Sequence, residues 1–239
     1  MNITPSFSPV CLDDHEVGYK FEADEYLFFF GTRFANHEIL RKLYPQLQWS
    51  SMRQMHGNTF AQASSHTDGF IPTADALWTT DRQVALLVST ADCMPVLVAA
   101  DDFVASIHAG WRGTLNGVIS FCIEALRKQY GFRMDNALAI IGPHIQQKSF
   151  DFNRADAKPF FDLASRLDLN VGQAIQDHAL DPAKVKISLN LFVRAQLAAS
   201  GLASSRVEEL YMNTHNHLNF HSYRRERVAG RNLSFVARL

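Results

Sequence analysis

Three short apolar segments near the middle of the chain most constrain its fold. They are residues 84–89, 96–100 and 103–107, which are rich in β-branched and other apolar residues and are bounded by polar ones. Segments of this length and composition are typical of buried β-strands. Asp101 and Asp102 separate the second segment from the third and predict a hairpin turn. The centre of the chain therefore predicts part of a β-sheet.

Helical periodicity follows this block. Apolar residues recur between Leu115 and Leu126 at the spacing of one helix face, with Thr114 as the predicted N-cap and Gly131 as the stop signal. Other helices are predicted at about 37–44, 154–167 and 188–200, and other strands at 26–30, 137–141, 207–211 and 233–237. Because strands and helices do not alternate strictly, the order favours an α/β fold of the α+β kind, in which helices pack on a mixed sheet.

The composition fits one soluble globular domain. The chain has 239 residues, an apolar fraction of 47% and a charged fraction of 20%, and no linker is visible, so we expect a single domain over residues 1–239. A net charge of −1 gives no basic field for nucleic acid or an anionic membrane. Three cysteines do not make a disulfide framework, and no segment has the pattern of a signal peptide or a membrane span. We therefore expect a cytoplasmic monomer whose partners are small molecules.

Two histidines and one cysteine carry the strongest chemical signal. His56, Cys93 and His108 lie in the segments Gln-Met-His-Gly-Asn, Thr-Ala-Asp-Cys-Met-Pro and His-Ala-Gly-Trp-Arg-Gly. Two imidazoles and one thiolate are competent ligands for Zn²⁺, and three protein ligands leave one position open for water or substrate. The same residues also fit a cysteine nucleophile beside a histidine base. Both interpretations predict an enzyme in which these three residues are catalytic.

Arginines near these segments predict an anion subsite. Arg112 follows His108 in its segment, and Arg224 and Arg225 belong to Ser-Tyr-Arg-Arg. A guanidinium group binds phosphate or carboxylate through a planar fork, so a phosphate subsite beside a metal would fit a phosphorolytic enzyme. Arg227 is assigned instead to a solvated tail.

For two aspartates and several histidines, the sequence leaves alternative roles open. Asp75 and Asp92 either orient a ligand histidine or cap turns. We group Asp75 with the substrate-binding residues and Asp92 with the residues that support a ligand. The sequence assigns no role to His144. A metal could also bind within one seven-residue stretch, although a solvated loop is the preferred interpretation of its histidines, which are His215, His217 and His221.

Six motifs together resemble the YfiH family, which is also called the laccase-domain or polyphenol oxidase family. They are the three segments above and Ala-Asp-Ala-Leu-Trp-Thr, Ile-Gly-Pro and Ser-Tyr-Arg-Arg, and the resemblance runs from about residue 54 to the C-terminus. It implies a three-layer α/β/α domain. It also implies enzymatic activity, since family members are similar in showing phosphorylase activity on adenosine, inosine and methylthioadenosine and deaminase activity on adenosine. Two departures are a shortened loop after Arg33 and His144, which stands where cysteine is common.

The leading hypothesis is therefore a zinc-dependent enzyme of purine nucleosides, with nucleoside and phosphate as its ligands. The second hypothesis is a copper-dependent polyphenol oxidase, but multicopper sites need several His-x-His pairs and only His215 and His217 form one here. A third hypothesis is a cysteine amidohydrolase that acts on peptidoglycan precursors, and a fourth is a binding role without catalysis.

Overall fold

A computed structural model describes residues 6–65, 69–71, 73–100, 103–227 and 230–239 of the chain. Its strands are β1 (Ser8–Leu12), β2 (His15–Ala23), β3 (Tyr26–Gly31), β4 (Gln48–Met52), β5 (Phe60–Gln62), β6 (Phe70–Ile71), β7 (Ala76–Thr79), β8 (Val84–Thr90), β9 (Met94–Ala100), β10 (Phe103–Ala109), β11 (Leu138–Ile141), β12 (Asp151–Asn153), β13 (Ile175–Asp177), β14 (Lys184–Ile187), β15 (Val207–Glu209) and β16 (Asn232–Arg238).

The helices complete the set of elements. They are α1 (His37–Leu43), α2 (Trp111–Leu115), α3 (Val118–Gln129), α4 (Lys158–Arg166), α5 (Val171–Ala174), α6 (Leu189–Ala199) and α7 (Tyr223–Glu226), with short 3-10 helices at Gln147–Ser149, Arg154–Asp156 and Ser204–Arg206. In the part of the chain that the structure describes, no helix combines the length and the apolar character that crossing a membrane requires.

The strands form two large mixed sheets and one small sheet. The first has seven strands in the order β1-β2-β3-β16-β8-β4-β6, and the second has six in the order β15-β11-β9-β10-β7-β5. Strands β9 and β10 pair antiparallel with Phe103 opposite Ala100, which is the pairing a hairpin requires. Residues 101 and 102, where the turn is predicted, lie outside the described residues. The small sheet has the order β12-β14-β13.

The two large sheets face each other across one apolar core. Phe28 and Phe30 of β3 are buried in the same cluster as Leu97 of β9 and Ile140 of β11. Side chains alternate between the two faces of a strand, so the remaining residues of β3 point the other way. Among these, Phe29 packs in a separate cluster with residues of α1.

Helices cover the outer faces of both sheets. On the six-stranded sheet, Val96 and Val98 of β9 pack with Ile119 of α3 and Phe192 of α6. The layers therefore run helix, sheet, sheet, helices. The predicted α/β class with mixed sheets and packed helices is confirmed. The structure has two sheets in place of the one central sheet expected in three layers, because the phenylalanine-rich β3 buries one face against α1 and the other against the second sheet.

The helix predicted after the His108 segment is divided in two. Gly117 has a φ of 72°, in the left-handed region that glycine adopts without strain, and it separates α2 from α3. The sequence predicts Thr114 as the N-cap, but it lies inside α2. Gly110 is the N-cap of α2 and Gly117 is the N-cap of α3. Gly131 has a φ of 73° just beyond α3, as the predicted stop signal requires.

Gly142 follows β11 at the contact between the two sheets and yields a prediction about stability. A Cβ atom at this position would lie 2.3 Å from Cδ1 of Phe30 and 2.8 Å from Cγ of Pro95. The ring of Phe30 is confined by the core, so we expect Gly142→Ala to lower the free energy of unfolding by about 1–3 kcal/mol. Urea unfolding at fixed pH measures the change. The control is Gly172→Ala in α5, where the nearest atom would be 3.5 Å away, and an equal loss there would contradict the steric explanation.

Candidate active site

One edge of the six-stranded sheet brings predicted site residues together. Cys93 immediately precedes β9, and His108 is the penultimate residue of β10. The antiparallel register places His108 opposite Pro95, so Cys93 and His108 lie at the same edge. Asp75 immediately precedes β7, which pairs with β10, and the Asp75 carbonyl accepts a hydrogen bond from the His108 N–H at 2.8 Å.

A single carboxylate holds the His56 loop against this edge. Asp75 is only 1% exposed, and its Oδ1 accepts a hydrogen bond from the backbone N–H of His56 at 2.9 Å. Its Oδ2 accepts from the N–H groups of Met55 and Gly57 at 3.2 and 2.7 Å. His56 has a φ of 60°, which residues other than glycine rarely adopt. The three hydrogen bonds hold that conformation, and they leave the His56 ring 4.8 Å from the His108 ring between centroids.

The same carboxylate orients His108. Its Nδ1 donates a hydrogen bond to Oδ1 of Asp75 at 2.8 Å, and both side chains are buried. This bond puts the ring proton on Nδ1 and leaves Nε2 for a metal or for proton transfer. Burial would raise the pKa of Asp75, but hydrogen bonds from His108 and Gly57 hold it below its usual value. The substrate-binding role predicted for Asp75 does not fit this position, since protein donors occupy both of its oxygens.

His56, Cys93 and His108 form what we call the His–Cys–His triad. One ligand atom from each lies within 4.8 Å of the other two. Donor atoms around a tetrahedral Zn²⁺ ion are roughly 3.4–3.8 Å apart, so a small contraction would bring all three to bonding positions. Gly110 leaves the space open, because a Cβ atom there would lie 3.0 Å from Sγ of Cys93. The donor set and the space therefore fit a metal ion such as Zn²⁺ or copper.

Cys93 and His108 stabilise each other's charged forms. Burial would raise the pKa of the Cys93 thiol, but the hydrogen bonds and charges of His108 and then His56 lower it to about 6. Burial would lower the pKa of His108, but Asp75 and Cys93 raise it to about 9. Between these two values the metal-free protein holds a thiolate beside an imidazolium. A thiolate is the form of cysteine that binds metals and attacks as a nucleophile.

A cavity of about 770 Å³ opens onto the triad. Its volume lies within the range of small-molecule sites, about 300–1,000 Å³. Besides the triad, its charged lining residues are Asp92, Arg112, Arg224, Arg227 and Arg231, and its aromatic lining residues are Trp111, Phe150, Phe152 and Tyr223.

Two of the three arginines predicted to bind an anion line this cavity. The guanidinium carbon of Arg112 lies 4.2 Å from the ring centroid of Trp111, and the side chain forms no hydrogen bond or ion pair with the described residues. Arg224 donates from one guanidinium nitrogen to the carbonyl of Asp151 at 2.8 Å. The rest of its guanidinium group is available to the cavity.

The prediction that Arg225 binds an anion is wrong. Its guanidinium group donates to the carbonyl oxygens of Thr214, His215 and Phe220 at 2.6–2.8 Å. It also forms an ion pair with Glu226. Adjacent residues of a short helix point in different directions, so Arg224 lines the cavity while Arg225 fastens the loop behind it. Arg225 therefore stabilises the wall of the cavity and is not placed to bind phosphate.

Asp92 links the Cys93 loop to the C-terminal part of the chain. Its Oδ1 accepts from the hydroxyl of Thr214 at 2.7 Å, and its Oδ2 accepts from the backbone N–H of Arg224 at 2.6 Å. No hydrogen bond of the described residues joins it to a triad histidine. The sequence predicts that Asp92 supports a metal ligand, but Asp75 is the carboxylate that orients a triad histidine.

Arg33 supports α7 from the side of the seven-stranded sheet. Its guanidinium group forms an ion pair with Glu226 of α7. Its backbone N–H donates to the carbonyl of Asn219 at 2.7 Å. Arg33 itself therefore contacts the segment that carries Tyr223 and Arg224.

The aromatic wall is the feature that sequence reasoning missed. Trp111 and Tyr223 stand inside recognised motifs, so their positions offered a signal. Phe150 and Phe152 offered none, because they reach the cavity through the small sheet that begins with β12. The ring centroids of Trp111 and Phe152 lie 5.2 Å apart. The two rings meet edge to face, with 72° between their planes, so the wall offers an aromatic face against which a planar ligand can pack.

The other histidines that the structure describes do not form part of the triad. His144 is buried and donates from Nδ1 to the carbonyl of Gly142 at 2.9 Å, and burial lowers its pKa. Within the described ranges, the triad is the one group of histidine, cysteine and carboxylate side chains with metal-binding geometry. The stretch that contains His215, His217 and His221 is therefore not a metal site among these residues.

Residues 34–239 match the family described as multi-copper polyphenol oxidoreductase laccase, and the chain belongs to this family. Purine nucleoside phosphorylase RP494 of Rickettsia prowazekii is 30% identical over 183 residues, which is 75% of this chain and 72% of that protein. Adenosine deaminase RL5, from an unknown prokaryotic organism, is 31% identical over 156 residues, which is 63% of this chain and 56% of that protein.

A solved structure agrees with the fold. The crystal structure of Bacillus licheniformis hypothetical protein YfiH superposes with a TM-score of 0.82 at 18% sequence identity, covering 94% of this chain and 97% of that chain. The family model match over residues 34–239 confirms the family predicted from the sequence motifs.

Alkylation of the metal-free protein tests the charge state of Cys93. Because its pKa is about 6 and the thiolate is the reactive form, the alkylation rate should rise as the pH passes upward through about 6. The measurement is the iodoacetamide rate from pH 4.5 to 9 after chelation, with the rate of Cys93→Ser subtracted to remove Cys11 and Cys122. A midpoint near the value of an ordinary thiol, about 8.5, would contradict the pairing with His108.

Metal titration tests the role of Asp75. Asp75→Asn removes the carboxylate that orients His108 and the His56 loop, so we expect zinc affinity to fall by about 10–100-fold. Competition with a chromophoric chelator measures the affinity. Asp92→Asn is the matched control, since its carboxylate lies beside Cys93 without contacting a triad histidine, and a smaller loss is expected. Equal losses in the two variants would contradict the assignment.

Proposed function

We propose that the chain is a zinc-dependent enzyme that cleaves purine nucleosides with phosphate and also deaminates adenosine. One observation carries the proposal: a single cavity contains the His–Cys–His triad, the unpaired guanidinium of Arg112 and an aromatic wall. The names of the two relatives, a purine nucleoside phosphorylase and an adenosine deaminase, support the same substrate class. Adenosine, inosine and methylthioadenosine are the proposed phosphorolysis substrates.

The triad supports zinc over copper as the proposed ion. Two imidazoles and one thiolate with an open position are typical of catalytic zinc sites. A polyphenol oxidase with several coppers would need further histidine clusters, and the described residues form one group with metal geometry. When bound, a Zn²⁺ ion supplies a Lewis acid beside the substrate.

The cavity residues have separable tasks in the proposed phosphorolysis. A phosphate oxygen forms a bond to C1′ of the ribose while the bond from C1′ to the purine N9 breaks. The proton that the hydrogen phosphate gives up ends on a ring nitrogen of the leaving purine. Arg112, assisted by Arg224, holds the phosphate through charge-assisted hydrogen bonds. The aromatic wall, with Trp111, Phe152 and Tyr223, packs against the flat purine and excludes water.

A thiolate mechanism is the second candidate function. Cys93, His108 and Asp75 stand in the order of a nucleophile, its base and the group that orients the base, which is an arrangement of amidohydrolases. Under this alternative, turnover of an amide substrate would persist in protein stripped of metal. Complete loss of activity on chelation, with recovery on adding Zn²⁺, would favour the zinc enzyme.

Phosphate dependence provides the test of the leading proposal. We expect cleavage of inosine to require phosphate and to yield ribose 1-phosphate. Arg112→Gln should weaken the use of phosphate by roughly 1.5–3 kcal/mol, the scale of a hydrogen bond to a charged group. The measurement is kcat/KM for phosphate at saturating inosine, followed by release of hypoxanthine. Deamination of adenosine uses water and should suffer less.

Two results would count against the proposal. One is inosine cleavage at the same rate without phosphate. The other is a loss of kcat/KM for phosphate in Arg166→Gln equal to the loss in Arg112→Gln. Arg166 is a control on the exposed side of α4, away from the cavity lining.

A further inference from the structure

The cavity contains more positive charge than one bound phosphate requires. Four arginines line it, whereas the acidic residue in its lining is Asp92. Both oxygens of Asp92 already accept hydrogen bonds from Thr214 and Arg224. The chain as a whole has a net charge of −1, so the cations are concentrated here and are not a general property of the surface. A second anionic group is therefore expected in the same cavity.

The proposed phosphorolysis leaves two cations of this lining unused, Arg227 and Arg231. Arg231 donates a hydrogen bond to the carbonyl of Gly230, so Arg227 is the candidate for a second anion. Its side chain forms no hydrogen bond or ion pair with the described residues, and its guanidinium carbon lies 5.4 Å from the ring centroid of Tyr223. The neighbouring carboxylate, Glu226, is already paired with Arg33 and Arg225. An unpaired guanidinium above an aromatic ring keeps its donors free for the oxygens of a phosphoryl group.

The backbone at Arg227 points to the same side chain. Arg227 ends α7 with a φ of 57° and a ψ of 23°, in the left-handed region. Glycine or asparagine is favoured at such a position, and a longer residue is strained. Strained residues concentrate at functional sites, because the side chain is needed where the backbone is unfavourable. The strain therefore supports a role for the Arg227 guanidinium.

We propose that Arg227, stacked on Tyr223, forms a second anion subsite that binds the 5′-phosphoryl group of a purine nucleotide. The inference rests on the proposed nucleoside activity and adds nucleoside 5′-monophosphates to the compounds that the cavity binds. Arg112 lies on α2 and Arg227 at the end of α7, so the cavity offers cations from two separate elements. A nucleotide needs a second anion subsite, because its phosphoryl group is on C5′ while the attacking phosphate approaches C1′.

Calorimetric binding of inosine and of inosine 5′-monophosphate to the zinc-loaded protein tests the subsite. In phosphate-free buffer neither compound reacts by the proposed chemistry, since phosphate is absent and hypoxanthine has no amino group to lose. We expect the nucleotide to bind about tenfold or more tightly than the nucleoside, the scale of a hydrogen bond to a charged group. In Arg227→Asn the ratio of the affinity for inosine 5′-monophosphate to the affinity for inosine should fall to about one. In the control Arg166→Asn this ratio should be unchanged.

The choice of asparagine protects the test against unfolding. Asparagine tolerates left-handed backbone, so the thermal midpoint of Arg227→Asn should equal or exceed that of the natural chain. Titration of inorganic phosphate distinguishes the two possible sources of the anion. Arg227→Asn could weaken the binding of inorganic phosphate and leave the ratio of nucleotide to nucleoside affinity unchanged. Arg227 would then belong to the co-substrate site, and the inference would be overturned.

The inference and the proposed function fail in different ways. Inosine that binds well, with no advantage for its 5′-monophosphate, overturns the subsite and leaves the nucleoside enzyme standing. If neither compound binds the zinc-loaded protein, the proposed function itself is overturned together with the subsite.

Discussion

The geometry of the candidate site depends on one buried carboxylate. Asp75 accepts hydrogen bonds from three consecutive backbone amides of the His56 loop and from the ring of His108. It therefore fixes two of the three donors of the triad at once, while the register of β9 against β10 positions Cys93. Few other groups could do this, because a carboxylate offers about four acceptor positions and asparagine exchanges two of them for donors.

Strained backbone borders the site on several sides. His56, Asp92 and Arg227 all have positive φ values although none is glycine. His56 and Asp92 are held by hydrogen bonds to or from specific partners, and the side chain of Arg227 lines the cavity. Rigid strands beneath the loops make this possible, since they fix the ends of the loops that must adopt unfavourable conformations.

The sequence predicts the strands and the triad better than it predicts the partners of the polar residues. Apolar composition is enough to locate β8, β9 and β10, because burial selects it directly. The roles of Asp75 and Asp92 could not be separated, since both stand beside motif residues and only the fold decides which one meets His108. Arg224 and Arg225 are adjacent in the sequence, yet one faces the cavity and the other faces loop carbonyls. The division of the strands into two facing sheets could not be predicted either, because pairing between strands that are distant in the sequence leaves little local signal.

The pairing of β3 with β16 has a consequence for the solubility of the chain. Residues 34–239 carry the match to the family, but β1, β2 and β3 precede that region and complete the seven-stranded sheet. Without them, the side of β16 that pairs with β3 would present a row of unpaired N–H and carbonyl groups. Open edges of this kind pair with other chains and lead to aggregation. The strands before residue 34 thus protect an edge of the sheet that would otherwise pair with strands of other chains.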